Sequence, residues 1–358
     1  MDQARRVTIA DVAEKAGVSK TAVSFAFNSP DRLNTATASR ILGIANELGY
    51  RPDPVARMLT QRRTGAIGVL TPQDLSVIFT NPFFGAFSAG IAGVAEEHGY
   101  GLHFISPLHG SLSRAIHRAT VDGVVAIGLT DDHPEIDEIR RAGLPMVLVD
   151  SNTTGQLASV DVDDEGGARL AAQHLIDLGH RDIAILAIDP PRAAGHEEGG
   201  VVARRLRGYR DTLAAAGIDV PTDEVATGPA SIDGGRAAFG RLWSTGRRPT
   251  AILAMSDGIA IGAIQAIHEL GRTVPGDISV VGFDDVDLAA STDPPLTTVH
   301  QPVRAKGETA VRMLLSVIEG RDAAPGHQRL ETRLVIRSST GAAIGDREEV
   351  AAARPTSA

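Results

Sequence analysis

The stretch Val7–Asn28, VTIADVAEKAGVSKTAVSFAFN, decides how the first part of this chain folds. Thr8 is placed to N-cap a helix whose apolar residues Ile9, Val12, Ala13 and Ala16 fall at i, i+3, i+4 and i+7. Gly17 offers a left-handed exit that a Cβ would resist, and Ser19 is placed to cap a second helix. Two short helices joined through a glycine turn present the second helix to a DNA major groove. The same pattern also suits a plain helical hairpin, so the flanking sequence has to separate the two.

Working outward, Ala38–Tyr50 repeats the amphipathic pattern through Ile41, Ile44, Ala45 and Leu48, with Gly49 as a stop. Three helices in about 50 residues make a small core. Charge favours DNA as the partner. Residues 1–63 carry 10 Lys/Arg against 6 Asp/Glu, whereas the whole chain carries 35 against 44, a net charge of −9. A basic head on an acidic body suits a DNA-binding module joined to a sensor.

Six segments in order then carry a resemblance. They are TIADVAEKAGVS (Thr8–Ser19), ELGYRPDPVARML (Glu47–Leu59), HLIDLGHRDIAIL (His174–Leu186), SDGIAIGAIQAI (Ser256–Ile267), ISVVGFDD (Ile278–Asp285) and PLTTVHQP (Pro295–Pro302). The chain resembles the LacI/GalR family of bacterial transcriptional regulators from Val7 to about Gly341. The resemblance implies an all-α helix-turn-helix head, a hinge helix, and a two-lobed α/β effector domain with parallel sheets, like periplasmic sugar-binding proteins. The expected division is 1–52 for the head, 53–64 for hinge and linker, 65–341 for the effector and dimerisation body, and 342–358 for a disordered tail.

On the second helix the outward positions are Lys20, Thr21, Ser24 and Phe25, while Val23, Ala26 and Phe27 face the core. By resemblance, Lys20, Thr21 and Phe25 read bases, and Thr8, Ser24 and Asn28 complete the DNA-facing set of the head. Phe25 departs from the arginine common there in the family, so a bidentate guanine contact is lost and contact with a thymine methyl, or a backbone-fitting role, is expected instead. Inward packing is the competing role for Phe25.

Pro52 and Pro54 break the third helix, and Pro54 suits the first turn of a new one over Val55–Leu59. The resemblance implies a hinge helix in the minor groove, with Val55, Ala56 and Arg57 against DNA and Leu59 wedged into a base step. Such a wedge costs a few kcal/mol of unstacking, offset by contacts to the kinked duplex. Arg57, Arg62 and Arg63 are placed for phosphates.

Beyond residue 64, the runs Ala66–Leu70, Val124–Ile127, Met146–Val149, Ile183–Ala187, Ala251–Ala254 and Ile278–Val281 are short and almost continuously apolar, as strands buried on both faces are. Helical patterns at Ala86–Gly99, Gly167–Leu178, Leu206–Ala216, Ile259–Leu270 and Arg304–Glu319 separate them, which predicts parallel sheets. By resemblance the chain crosses between two lobes near Val162–Asp164, Thr298–Gln301 and Leu330, and ligand binds between the lobes at the strand ends.

The candidate effector contacts rest on the same resemblance. Phe83 and Phe84, read as a loop, would stack on a sugar or an aromatic base, core packing being the alternative. Asp150 ends PMVLVD at the cleft edge, Arg205 forks onto hydroxyls or a carboxylate, and Asp284 accepts hydroxyl hydrogen bonds while Asp285 braces the backbone. Ser256 and Gln301 complete the set. Ser256 is shorter than the family's usual Asn, and Ser106–Thr120 is shorter than usual and expected to remodel one wall.

There is no cysteine, hence no disulfide or thiolate metal site. No signal core or run of about 18 apolar residues is present, so a cytoplasmic location is expected. Nucleotide-binding, hydrolase and zinc-protease motifs are missing, and no enzyme, cofactor or metal is expected. His174 and His180 read as capping and packing residues. The pairs Asp163–Asp164 and Asp284–Asp285, taken as strand neighbours on opposite faces, are poor chelators. The reading is a ligand-controlled regulator, a repressor acting as a homodimer on near-palindromic operator DNA with a sugar as effector. A purine or other non-sugar corepressor is the alternative, and a sugar-binding protein without a regulatory role is the more distant one.

Overall fold

Helix α1 (Ile9–Ala16) begins where Thr8 leaves extended backbone: its N–H and hydroxyl both donate to the Asp11 carboxylate, at 2.8 and 2.7 Å. The computed structural model describes residues 7–53, 58, 63–151, 157–189, 200–221, 225–320 and 326–343. The expected hinge contacts Val55, Ala56, Arg57 and Leu59 lie outside the described residues, as do Arg62 and residues 344–358. The chain separates into two compact units, Met1–Thr64 and Gly65–Ala358.

In the first unit Gly17 adopts φ +61° and ends α1, and Ser19 Oγ accepts from the Ala22 amide to start α2 (Lys20–Asn28). A short 3₁₀ turn at Pro30–Arg32 intervenes before α3 (Thr35–Glu47). That helix starts ahead of its apolar pattern because the Asn34 side chain accepts from the Thr37 amide at 2.7 Å. Val12, Ala13, Ala16, Val23, Ala26, Ile41 and Ala45 form the core, with Phe27 packed against it and edge-on to Tyr50. This face holds three helices together, since isolated helices so short are marginal in water.

The second unit contains two six-stranded sheets. The elements of the first lobe are β1 (Ala66–Leu70), α4 (Leu75–Ile78), α5 (Pro82–Glu97), β2 (Gly101–Ile105), α6 (Leu112–Arg118), β3 (Gly123–Ile127), α7 (Pro134–Arg141), β4 (Met146–Val149) and β5 (Ser159–Val162). The chain then crosses to α8 (Asp164–Asp177), β6 (Ile183–Ile188), α9 (Val201–Ala215), β7 (Val225–Gly228), α10 (Ile232–Ser244), β8 (Ala251–Ala254), α11 (Asp257–Glu269), β9 (Ser279–Asp284) and β10 (Thr297–His300). It returns to the first lobe with α12 (Val303–Ile318) and β11 (His327–Leu330), and enters the second again with β12 (Arg333–Val335).

The sheet orders are β11-β5-β4-β3-β1-β2 and β12-β10-β9-β8-β6-β7. Every pair is parallel except β10–β12. The exception has a geometric cause. Chain leaving β11 at its C-terminal end continues almost straight into the other lobe, and so runs against strands that end at the same divide. The three crossings fall after Val162, after His300 and after Leu330, where the resemblance placed them.

Backbone-to-backbone packing fixes α12 on α5. A Cβ on Gly90 would lie 2.1 Å from the Arg304 carbonyl oxygen, and one on Gly307 would lie 2.5 Å from that of Phe87. Glycine at both positions is therefore what lets these helices cross so closely. The approach sets the depth of α12, and with it the side chains of its first turn.

Candidate functional site

Seen by itself, the first unit presents Lys20, Thr21 and Asn28 exposed on α2, with Ser24 and Phe25 half-buried. Thr8 is exposed at the start of α1. Phe25 does not join the apolar core. Its ring lies beneath the Arg32 guanidinium at 5.2 Å. Asn28 donates to Ser24 Oγ at 3.4 Å, and Lys15 pairs with Glu47 at 2.7 Å, tying α1 to α3. The outward face of α2 is thus a short run of polar side chains and one aromatic edge, suited to base edges and phosphates.

In the second unit a cavity of about 340 Å³ lies between the lobes, at the C-terminal ends of strands from both sheets. Thr71, Gly128 and Asp150 reach it from β1, β3 and β4, and Asp189, Ser256 and Asp284 from β6, β8 and β9. Phe83, Phe84, Arg205 and Leu206 line it as well. No lining residue comes from Ser106–Thr120, so that segment does not remodel the wall as expected. It carries α6 instead, buried through Leu112 and Ala115.

Phe83 and Phe84 stand in the first turn of α5, and not in a loop: Asn81 Oδ1 caps that turn on the Phe83 amide at 3.0 Å, with Pro82 at the first position. Both rings are buried in the first-lobe core and both line the cavity, Phe83 edge-on to Phe84 and stacked on Phe87. Wall and core are here the same residues.

The charged floor is assembled from five elements. Arg205 Nε donates to Asp164 Oδ1 at 2.9 Å, Arg204 Nη2 to Asp164 Oδ2 at 2.7 Å, and Arg205 Nη1 to the Met255 carbonyl. Arg205 Nη1 also lies 3.6 Å from Asp284 Oδ1, and its guanidinium covers the Phe283 ring. Gln301 Nε2 donates to Asp284 Oδ1 at 2.6 Å. Lys306 Nζ donates to Gln301 Oε1 at 2.6 Å and to Asp150 Oδ1 at 2.7 Å. Gln301 lies behind Asp284 and is absent from the described lining, while Ser256 lines the cavity but uses its Oγ to cap α11.

Burial pushes the Asp284 carboxyl up to about 6, against the pull of Arg205 and Gln301. Burial also acts on Asp164, but Arg205 and Arg204 outweigh it and hold that carboxyl below the usual range. Asp257 is pushed well above it, by burial and then by Asp284. Backbone strain marks the same place. Asp150 has φ +58°, Asp284 +125° and Asp285 +58°, and His109 is the only other described non-glycine residue with positive φ. Such conformations persist where the surroundings enforce them, commonly at binding sites.

Two smaller expectations need correction, and the packing role read for His180 stands. Asp163 and Asp164 are not strand neighbours: Asp163 caps α8 and pairs with Arg329, while Asp164 is the first helical residue. Asp285 follows β9 in a left-handed conformation and braces through side chains, pairing with Arg337 at 2.6 Å and facing His300 at 2.9 Å. His180 links Thr250, Ser279 and the Gly341 carbonyl, a structural role. Among the described residues no cluster is suited to a metal ion, and no helix is long and apolar enough to cross a membrane.

Sequence reasoning missed Asp164, Arg204, Gln73 and Lys306. Gln73 lines the cavity and its buried Oε1 has no hydrogen-bond partner among the described residues, an acceptor open to a ligand. Lys306 left a readable signal. It interrupts the stripe Val303, Gly307, Ala310, Val311 and Leu314, where a solvated lysine has no place.

Residues 8–53 match the bacterial regulatory proteins of the lacI family, and residues 172–340 match a periplasmic binding protein-like domain. The HTH-type transcriptional regulator CelR of Thermobifida fusca is 33% identical over 347 residues, 95% of this chain and 100% of that protein. The HTH-type transcriptional repressor PurR of Photobacterium profundum is 33% identical, over 93% of this chain and 98% of that one. Among solved structures, the lac repressor dimer bound to operator and the anti-inducer ONPF superposes with a TM-score of 0.77, at 31% identity over 94% of this chain and all of that one. A CelR–cellobiose complex superposes with a TM-score of 0.67, also at 31% identity, over 93% of this chain and all of that one. The chain belongs to the LacI family of bacterial regulatory proteins, and is a DNA-binding transcriptional regulator with a periplasmic-binding-protein-like body.

Proposed function

We propose that this regulator is a cytoplasmic repressor that binds operator DNA as a homodimer and releases it when a neutral sugar fills the cavity between the lobes. The observation that carries this reading is that Asp150 and Asp284, from different lobes, line one aromatic-walled cavity of about 340 Å³. Carboxylates accept hydroxyl hydrogen bonds, and the Phe83–Phe84 edge suits the apolar face of a sugar ring. Arg205, Ser256 and Gln301 act with them, Gln301 through Asp284. That CelR has been seen with cellobiose supports the ligand class.

In the head, Lys20, Thr21 and Phe25 contact bases, and Thr8, Ser24 and Asn28 hold the backbone. Residues 53–64 form the hinge, with Val55, Ala56 and Arg57 against DNA and Leu59 as the wedge. The proposed division is 1–52 for the head, 65–341 for the body and 342–358 for a tail. One head buries too little surface for strong specificity, whereas two on a symmetric site suffice. A coupling of about 1–3 kcal/mol between cavity and head would switch affinity roughly 5- to 150-fold.

A second reading, a purine corepressor that favours DNA binding, draws on the PurR relative and on the Phe83–Phe84 wall, which also suits a flat base. One experiment separates them. Operator sites are selected from random duplex DNA with the full-length protein, and affinity for the selected site is then titrated with glucose, cellobiose, guanine and hypoxanthine. Weakening by a sugar supports the first reading, and tightening by a purine replaces it with the second.

A further inference from the structure

Helix α12 carries a lysine on its buried face. Lys306 is 0% exposed, one residue before the glycine that lets α12 close on α5. A buried ammonium is costly unless its donors are met, and here two of the three are. One N–H goes to Asp150 Oδ1 at 2.7 Å, a second to Gln301 Oε1 at 2.6 Å, and the Phe83 ring lies 5.3 Å away. Lys306 is absent from the described cavity lining, so it stands behind the carboxylates.

The chemistry of the chain of bonds fixes its direction. An ammonium only donates, so the Gln301 amide must turn its oxygen toward Lys306. Its nitrogen then faces Asp284 Oδ1 at 2.6 Å, and an ionised carboxylate only accepts. Asp150 belongs to the first lobe, Asp284 to the second, and Gln301 to the crossing between them. The remaining charged groups around Asp284 are Arg205 on α9 and Asp257 on α11, with Asp164 at the start of α8 on the far side of Arg205.

We propose that Lys306 is the positioning residue of the cavity: without touching ligand, it fixes Asp150 and, through Gln301, Asp284, so that the ligand-facing carboxylates of both lobes act as one electrostatic unit. This rests on reading the cavity as the effector site. The consequence is that a hydroxyl bound on one lobe is felt on the other, through three hydrogen bonds.

The test begins without ligand. Thermal unfolding of the full-length protein and its K306M variant is compared at about pH 5 and about pH 8. Removing the counter-ion costs little where Asp284, raised to about 6, holds its proton and much where it must stay ionised. The loss of Tm in K306M is therefore expected to be at least about twice as large at the higher pH, and D150N/K306M is expected to recover most of it. An equal loss at both pH values, or a double variant no better than K306M, would mark Lys306 as a packing residue and overturn the proposal. If K306M does not fold at the higher pH, folding of the double variant there supports the proposal and its failure contradicts it.

A second arm titrates glucose and cellobiose calorimetrically into both proteins. A sugar that binds the wild type is expected to bind K306M about tenfold more weakly or worse, although Lys306 does not touch it. Unchanged affinity overturns the proposal. If the wild type binds neither sugar, the sugar reading falls, and the pH comparison alone decides the role of Lys306.

Discussion

Arg205 and Asp164 meet at 2.9 Å beneath the cavity, and Arg204 holds the other oxygen of the same carboxylate at 2.7 Å. One buried acid thus fastens the start of α8 to two consecutive residues of α9, and through Arg205 to the wall of the cleft. The arrangement lets an arginine line a cavity without being free to fold into it. Asp164→Asn would leave two buried guanidinium groups facing a neutral amide, and a loss of about 3–5 kcal/mol is expected. Chemical denaturation of the full-length variant measures it.

The pH dependence follows from Asp284, whose carboxyl is raised from its ordinary 3.8 to about 6. Between those values the folded protein holds a proton that the unfolded chain has released, so this group's contribution to stability falls as pH rises from about 4 to about 6. Asp257, also raised, acts in the same direction, while Asp164, lowered, acts oppositely and only at more acid pH. Asp284→Asn should flatten the slope between about pH 4.5 and pH 6.5, read as unfolding midpoint against pH. A slope unchanged by the substitution would mean that another group titrates there.

The crossing of α5 and α12 yields a packing prediction. Gly90→Ala would force a methyl group to within 2.1 Å of the Arg304 carbonyl, so the helices must separate. Overpacking of this kind costs about 1–3 kcal/mol or more. Because Lys306 rides on α12, the same substitution should also weaken any sugar bound in the cleft, a joint effect that unfolding and calorimetry would detect together.

In the head, Lys20→Ala discriminates between two kinds of contact. If Lys20 reads a base edge, the variant loses about 1–3 kcal/mol and relaxes specificity at one position of each half-site. If it holds a phosphate, affinity falls almost uniformly across sequences and the salt dependence becomes shallower. Repeating the site selection with the variant, at one stated salt concentration, gives the answer. The base-reading outcome is expected.

Legibility in the sequence followed burial and local chemistry. Ala66–Leu70, Met146–Val149 and Ala251–Ala254 were bounded to the residue because strands buried on both faces are unbroken apolar runs. Gly101–Ile105 and Val225–Gly228 escaped because they are edge strands with exposed positions, and Ser159–Val162 and Thr297–His300 because polar residues interrupt them. In the head, Thr8, Gly17 and Ser19 each dictate a local conformation, so the helix-turn-helix was readable without a partner. The cavity was less so. Phe83 looked like a loop residue because the capping role of Asn81 went unrecognised, and the bond chain from Lys306 to Asp284 spans residues that only the fold brings together.

If the cavity controls DNA binding, Asp284→Asn should uncouple the two. Equilibrium binding of the full-length wild type and D284N to the selected operator should be compared with and without the sugar that weakens the wild type. Equal operator affinity without sugar is expected, with a response to sugar confined to the wild type. A D284N protein that responds to the sugar as fully as the wild type would contradict it.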